Sequence, residues 1–213
     1  MLVFVSTMPA GEKYLELAKE VSAFADFLHL DVCDGNYNNT ICFLPEYAKQ
    51  INDNTTLPLD CHLMTKTPLE YAKKYISAGA NIITAQIESF DSEQEIKSFI
   101  EFVKTHNALV GLSIEPNTKI ETVKPYLDVL DIVLVMSVQT GSSGQKFNSI
   151  AIKKIDELNS IRKDKNLNFK IEVDGGITDQ NVNTVKLAGA DIVVSGNFVY
   201  NAKNKNKAVN SLK

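Results

Sequence analysis

Short apolar segments rich in β-branched residues recur along this chain at intervals of about 25 residues, and amphipathic segments with helical spacing separate most of them. Glycine ends two of these amphipathic segments, in AGAN at 78–81 and AGAD at 188–191, and an apolar segment follows directly. The pattern predicts eight strands that alternate with helices. The predicted strands are LVFVS, FLHLDV, PLDCHLM, NIITAQI, ALVGLSI, IVLVMSV, KIEVDG and DIVVSG.

The predicted helices carry recognisable start signals. Pro45 and Pro68 stand at first-turn positions, and Thr118 and Thr178 are predicted N-caps. Eight strand–helix units predict a parallel (β/α)8 TIM barrel of the α/β class. The alternative, a doubly wound open sheet, normally has fewer strands and often a glycine-rich first turn, which is absent after Val5.

Length and composition fit one globular domain. Of 213 residues, 44% are hydrophobic and 23% are charged. We expect a single barrel domain over residues 1–213, with about the last ten residues forming either a final amphipathic turn or a loose tail. The formal net charge is -4 and the isoelectric point is near 5.4. This balance argues against nucleic acid or an anionic membrane as a partner, whereas a phosphorylated small molecule is compatible with it.

The cysteines and the N-terminus favour a cytoplasmic protein. Cys33, Cys42 and Cys61 form no CxxC pair and are odd in number, which argues against a disulfide framework or a zinc knuckle. The first apolar run is much shorter than a membrane span and has no signal-peptide pattern.

Ionisable residues interrupt three of the predicted strands at the same end. His29 and Asp31 share a strand face because side chains alternate, as do His62 and Met64, and Asp174 ends the seventh strand. Barrel active sites lie at the C-terminal ends of the strands. Each histidine taken alone is more simply a hydrogen-bonded core residue. Four such groups at one end favour a divalent metal site, because buried charge must be paired or bound to metal.

Glycine-rich loops follow the last three predicted strands, as TGSSGQ, DGGIT and SGNF. Any one of them is explained by the need for a tight turn. Three adjacent loops beside helix starts predict a phosphate site built from backbone N–H groups.

Four segments together are similar to the ribulose-phosphate 3-epimerase family, which includes allulose-6-phosphate 3-epimerases. They are LHLDVCDG, LDCHLM, VLVMSV with GQKF behind it, and IEVDGGI, and the resemblance runs from about Ser6 to Phe198. It implies an epimerase of a ketose phosphate that uses one divalent metal ion, namely zinc, iron, manganese or cobalt. The implied metal ligands are His29, Asp31, His62 and Asp174.

The resemblance also implies residue roles. Asp31 and Asp174 would be the catalytic acid and base, and the glycine-rich loops would hold phosphate through backbone amides. Family members are often dimers or larger, so a homo-oligomer is compatible with the resemblance. The implied substrate-binding residues are Ser6, His62, Met64, Met136, Gly141, Ser142, Ser143, Gly144, Asp174, Gly175, Gly176, Gly196 and Asn197.

Elementary chemistry agrees with these roles. Inverting the carbon next to a ketone requires one carboxylate on each side of a planar enediolate. A metal ion stabilises the developing negative charge as a Lewis acid. The resemblance supplies the substrate: it implies interconversion of D-ribulose 5-phosphate and D-xylulose 5-phosphate, with D-allulose 6-phosphate and D-fructose 6-phosphate as the alternative pair.

Several positions depart from the family pattern. MDGHFVPN appears here as CDGNYNNT, and PGFGGQ appears as TGSSGQ. Gln86, Asn117 and Asn197 stand where the family commonly has His, Gly and Ser. None of these is an implied metal ligand, so the departures bear on the substrate more than on the reaction type.

Two other classes of protein are remoter alternatives. A barrel aldolase or decarboxylase would share the phosphate loops but would need a lysine at a strand end. The nearest lysines are Lys66, beyond HLMT, and Lys170, at the wrong end of its strand. A non-catalytic sugar-phosphate-binding protein would be expected to lack an acid, whereas Asp31 and Asp174 are both present.

Overall fold

The computed structural model of the chain describes residues 1–141 and 144–213, so Ser142 and Ser143 lie outside the described residues. The strands are β1 (Leu2–Ser6), β2 (Phe27–Asp34), β3 (Ile41–Cys42), β4 (Leu59–Met64), β5 (Ile82–Gln86), β6 (Leu109–Ile114), β7 (Ile132–Met136), β8 (Lys170–Asp174) and β9 (Ile192–Ser195). The α-helices are α1 (Tyr14–Val21), α2 (Pro45–Asn54), α3 (Pro68–Ser77), α4 (Glu93–Thr105), α5 (Ile150–Asp164), α6 (Val182–Ala188), α7 (Asn197–Tyr200) and α8 (Lys205–Asn210). Short 3-10 helices span Met8–Lys13, Ile87–Ser89, Ile120–Thr122 and Lys124–Tyr126.

Eight strands close into a parallel barrel. They follow in the order β1, β2, β4, β5, β6, β7, β8 and β9, and β9 pairs with β1. The short β3 is antiparallel to β2, with Cys33 opposite Cys42, and extends the sheet outside the barrel. The predicted α/β-class (β/α)8 TIM barrel is confirmed, and the open-sheet alternative is wrong.

The barrel has two apolar regions because strand side chains alternate between its inside and its outside. The larger region lies outside, where residues such as Val5, Leu28 and Leu63 pack with the helices. The smaller one is inside, and polar side chains replace it toward the C-terminal ends of the strands. The inner apolar cluster consists of Phe4, Ile82, Ile132, Ile192 and Val194, with Phe27 packed against it.

A carboxylate or amide precedes every second barrel strand and bonds to the strand before it. Asp26 accepts from the backbone N–H of Val3 at 2.8 Å, and Asp131 accepts from that of Val110 at 2.9 Å. Asn81 and Asp191 make the equivalent bonds to β4 and β8, at 2.8 and 2.9 Å. These side chains satisfy strand N–H groups at the end of the barrel opposite the glycine-rich loops.

Two predicted helix starts are wrong. The segment TKIETVKPYL forms two 3-10 helices instead of one α-helix, because Pro125 cannot continue a helix through its own position. Thr178 is not the N-cap of α6, which begins at Val182 after Asn181. The Thr178 carbonyl instead accepts from the N–H groups of Asn181 and Val182, which makes a turn ahead of the helix.

The C-terminal residues form a final helix and not a loose tail. They contain α8, and Ala208, Val209 and Leu212 are buried against the rest of the molecule. Within the described ranges, none of the helices combines the length and the apolar character needed to cross a membrane.

Candidate active site

Four ionisable side chains meet inside the C-terminal end of the barrel. His29 and Asp31 come from β2, His62 comes from β4 and Asp174 comes from β8, and each offers one ligand atom within 4.8 Å of the others. The strand register explains part of this arrangement, because Asp31 lies directly beside His62 in the β2–β4 pair. Alternation then points His29 and Asp31 to the same side. The four residues grouped from the sequence are therefore neighbours in space.

The distances within this cluster suit a shared cation. Asp31 Oδ1 lies 3.4 Å from His29 Nε2 and 3.7 Å from His62 Nδ1, longer than good hydrogen bonds. His29 Nε2 and both ring nitrogens of His62 are buried and have no hydrogen-bond partner among the described residues. Two ligand atoms at tetrahedral positions about 2.1 Å from one ion would be roughly 3.4 Å apart. The residues present therefore fit a divalent metal ion with an N2O2 ligand set.

Electrostatics separate the two aspartates. Burial alone would raise the pKa of Asp31, but the charges and hydrogen bonds of His29 and then His62 outweigh it and hold that pKa well below the usual range. Burial, and then the negative charge of Asp31, raise the pKa of Asp174 to about 6. Two carboxylates this close repel each other, and a cation between them removes that repulsion.

A second pair of acids lies against the other side of His29. His29 Nδ1 donates to Asp60 Oδ2 at 2.6 Å and lies 3.6 Å from Glu172 Oε1, and all three side chains are fully buried. Burial and the charge of Asp60 raise the pKa of Glu172 to about 8. Sequence reasoning missed Asp60 and Glu172. The signal was available, because each lies two positions before a predicted ligand, on the same strand face.

A cavity of about 670 Å³ opens above the cluster. Asp31 and Asp174 line it together with Ser6, whose hydroxyl donates to Asp31 Oδ2 at 3.0 Å. His62 is fully buried and does not line the cavity, so the structure places it with the candidate ligands alone. The other predicted substrate-binding residues that line the cavity are Met64, Met136, Gly141, Gly144, Gly175, Gly176, Gly196 and Asn197.

One end of the cavity is formed by the glycine-rich loops. Gly176 has φ +63, and a Cβ at this position would lie 2.8 Å from the Gln145 carbonyl oxygen, so glycine is required there. Lys146 also lines the cavity and is its one basic side chain among the described residues. Sequence reasoning missed Lys146 although it lies within the GQKF segment that follows β7. The loop amides and this lysine provide the chemistry of an anion site.

The rim of the cavity joins loops from different strands. Thr40 Oγ1, after β2, donates to the carbonyl of Gly141, after β7, at 2.9 Å. Glu115, after β6, accepts from the hydroxyl of Tyr37 at 3.4 Å and from the backbone N–H of Thr140 at 3.3 Å. Sequence reasoning missed Glu115. The loops that carry the departures at Tyr37, Thr40 and Thr140 therefore meet across the mouth of the barrel.

Comparison with known proteins gives a consistent assignment. The sequence model of the ribulose-phosphate 3-epimerase family matches residues 5–200. The chain is 33% identical to the chloroplastic ribulose-5-phosphate-3-epimerase of Arabidopsis thaliana over 99% of this chain and 76% of that protein. It is 36% identical to the ribulose-phosphate 3-epimerase of Aquifex aeolicus over 89% of this chain and 84% of that protein.

Solved structures show the same fold at low sequence identity. The 3-keto-L-gulonate-6-phosphate decarboxylase of Vibrio cholerae superposes with a TM-score of 0.73 over 100% of this chain and 94% of that chain, at 13% identity. At this identity the likeness concerns the barrel alone. The family match and the curated relatives decide the assignment. The chain therefore belongs to the ribulose-phosphate 3-epimerase family and is an isomerase of the ketose-phosphate epimerase type.

Proposed function

We propose that this enzyme is a divalent-metal-dependent 3-epimerase that interconverts D-ribulose 5-phosphate and D-xylulose 5-phosphate. One observation carries the reaction type: Asp31 and Asp174 line the same cavity, on different strands, with two histidines beside them. The names of the relatives from Arabidopsis thaliana and Aquifex aeolicus favour the pentulose phosphate.

The metal ligands in this proposal are His29, Asp31, His62 and Asp174. When bound there, a divalent metal would act as a Lewis acid for negative charge that develops on the substrate oxygens. Zinc, iron, manganese and cobalt all accept two imidazoles and two carboxylates. The proposal therefore leaves these four metals as the candidates that metal analysis must distinguish.

The two aspartates exchange the proton at C3. One carboxylate removes it from one face of the sugar, and the carboxylic acid form of the other returns a proton to the opposite face of the planar enediolate. After one turnover the two side chains have swapped protonation states, so the reverse reaction starts from the state that the forward reaction leaves. The Ser6 hydroxyl, bonded to Asp31 Oδ2 at 3.0 Å, fixes the orientation of that carboxylate.

The remaining cavity walls position and shield the sugar. Met64 and Met136 are almost fully buried and present thioether side chains that keep water from the reacting carbon. The backbone N–H groups of Gly176 and Asn197 and the charge of Lys146 would hold the phosphate at the other end. Binding at a distance from C3 leaves both aspartates free for proton transfer.

The test is an assay of purified protein with both ketose phosphates, combined with metal analysis. We expect epimerisation of D-ribulose 5-phosphate, with D-allulose 6-phosphate turned over more slowly, and about one bound metal ion per chain. A chelator should abolish activity, and one of the four candidate metals should restore it. Faster turnover of the hexulose phosphate would reassign the substrate. Full activity after complete metal removal would refute the metal-dependent mechanism.

Exchange of the C3 hydrogen separates this proposal from its alternatives. In D2O an epimerase incorporates deuterium at C3, whereas a protein that only binds the sugar does not. An aldolase would need a lysine at a strand end inside the cavity, but Lys146, the lysine that lines the cavity, lies in the loop after β7 that the proposal assigns to the phosphate, and neither Lys66 nor Lys170 lines it. Lys66 instead lies over the Tyr37 ring at 5.4 Å, and the Lys170 side chain is 59% exposed.

A cytoplasmic location and a homo-oligomer are parts of the same proposal. The location is supported by the free thiols of Cys33, Cys42 and Cys61. The homo-oligomer is supported by the family resemblance, because family members are often dimers or larger. Fractionation of the source cells and sedimentation of the purified protein test the two statements separately.

A further inference from the structure

We infer that Asp60 is a positioning residue for the metal site: its carboxylate holds the His29 ring with Nδ1 as the hydrogen-bond donor, so that Nε2 faces Asp31. The inference rests on the metal-dependent function proposed above. It assigns a role to a buried side chain that neither lines the cavity nor belongs to the four candidate ligands.

The geometry of the pair carries the inference. His29 and Asp60 are direct partners in the β2–β4 register, and Nδ1 lies 2.6 Å from Asp60 Oδ2 with both side chains fully buried. Glu172 is at 3.6 Å from the same nitrogen, which is too long for a good hydrogen bond. Asp60 is therefore the residue that determines which way the ring faces.

Ring orientation decides which nitrogen is available to a metal. A histidine that donates from Nδ1 to a carboxylate presents the lone pair of Nε2 when it is neutral, and its basicity toward a metal increases. His29 Nε2 is the nitrogen at 3.4 Å from Asp31 Oδ1, and it has no hydrogen-bond partner among the described residues. The bond to Asp60 thus selects the nitrogen that faces the other candidate ligands.

The cost of burying Asp60 supports a functional role. Its other register partner is Ile82, which belongs to the apolar cluster inside the barrel. Asp60 Oδ1 has no hydrogen-bond partner in the described part of the chain. A carboxylate in such surroundings is unfavourable unless a strong partner compensates it, and an apolar side chain would be accepted more easily. The bond to His29 supplies that compensation.

The experiment measures Co²⁺ affinity of the full chain after metal removal, using the visible absorption of bound Co²⁺. Asp60→Asn keeps the size of the side chain but removes its charge, and its amide group can donate to Nδ1 and so favour the wrong tautomer. We expect its affinity to fall about 10- to 100-fold. The control is Asp131→Asn, which weakens a bond to the backbone at the far end of the barrel and should lower Tm without changing the Co²⁺ affinity.

A second measurement needs no variant. In the Zn²⁺-loaded wild-type protein, ¹⁵N-resolved NMR of the histidine rings should show the His29 proton on Nδ1, far downfield and slow to exchange. A proton on Nε2 instead would overturn the inference even if Asp60→Asn did not fold.

The outcomes separate the inference from the proposed function. A wild-type protein that binds Co²⁺ together with an Asp60→Asn variant that binds it equally well refutes the role of Asp60 and leaves the metal site intact. Equal weakening in Asp131→Asn also refutes it, because the effect would then be a general loss of stability. A wild-type protein that binds no Co²⁺, Zn²⁺, Mn²⁺ or Fe²⁺ refutes the metal-dependent function itself.

Discussion

Asp31 and Asp174 bring carboxylate oxygens within 4.8 Å of each other although β1 and β9 separate their strands in the barrel. Replacing either residue with asparagine keeps its shape and removes the group that carries the proton. We expect Asp31→Asn and Asp174→Asn each to lower kcat by about 10²–10⁴-fold, while the circular dichroism spectrum stays unchanged. Asp34→Asn, at the end of the same strand as Asp31 but outside the cavity lining, is the matched control and should retain most of the activity.

Exchange with D2O makes this prediction sharper. With one carboxylate left, a variant can still remove and return a proton on a single face of the sugar. Asp31→Asn and Asp174→Asn should therefore incorporate deuterium into opposite epimers, without interconverting them. If both variants labelled the same epimer, the assignment of one aspartate to each face would be wrong.

Gly176 tests the glycine-rich end of the cavity. A side chain there meets the backbone of Gln145 and Phe147, so Gly176→Ala should displace the loop that carries Lys146 and weaken phosphate binding. We expect KM for the sugar phosphate to rise at least about tenfold, with a smaller change in kcat, because the reacting carbon lies elsewhere. Gly11→Ala is the control: Gly11 also has positive φ, at +51, but a Cβ there meets nothing within 4 Å. It should cost stability without changing KM.

The sequence predicted the four candidate ligands because each lies within a strand whose alternation is plain. The same alternation places Asp60 on the strand face of His62, but it does not identify the partner of Asp60, because only the register between β2 and β4 brings Asp60 against His29. Glu115 was missed for a similar reason. Its contacts come from loops after β2 and β7, whose paths depend on the closed barrel and not on local pattern.

Two local sequence signals for the start of a helix also gave wrong predictions. The segment at 118–127 has helical spacing, but Pro125 lacks a backbone donor, and the segment forms two 3-10 helices. Thr178 resembles an N-cap, yet Asn181 lies closer to the first helical residue. The order of the elements, the barrel and the position of the site could therefore be predicted, whereas the boundaries of some elements and the contacts that the supporting residues make across strands and loops could not.

Asp131 tests the repeated carboxylate and amide bonds at the far end of the barrel. Its side chain accepts from the backbone N–H of Val110 at 2.9 Å, and removing it leaves a strand donor unsatisfied. Asp131→Ala should lower the free energy of unfolding by about 1–3 kcal/mol, measured by urea denaturation. Asp128→Ala removes an exposed carboxylate nearby and should change it by less than about 0.5 kcal/mol. Equal effects of the two variants would contradict the role given to this bond.

Glu115 predicts a pH dependence of stability. Burial raises the pKa of Glu115 above the usual 4.5, and the negative charge of Glu88 raises it further. The hydrogen bonds from Thr140 and the charge of the nearby His62 lower this pKa, but by less than burial raises it. The folded state therefore binds the Glu115 proton more tightly than the unfolded state does. The stability that this provides is complete below about pH 4.5 and is lost as the pH rises through the folded pKa.

Glu115→Gln removes this titration. The free energy of unfolding of the variant, relative to wild type, should therefore increase as the pH is raised above about 4.5, and urea denaturation at several pH values measures the difference. Glu70→Gln provides a control of opposite sign, because the hydrogen bond and charge of Lys73 lower the pKa of Glu70. Its stability relative to wild type should decrease with rising pH, by a small amount because the pair is exposed. A relative stability of Glu115→Gln that stayed constant or fell with rising pH would show that Glu115 is ionised as easily in the folded protein as in the unfolded chain.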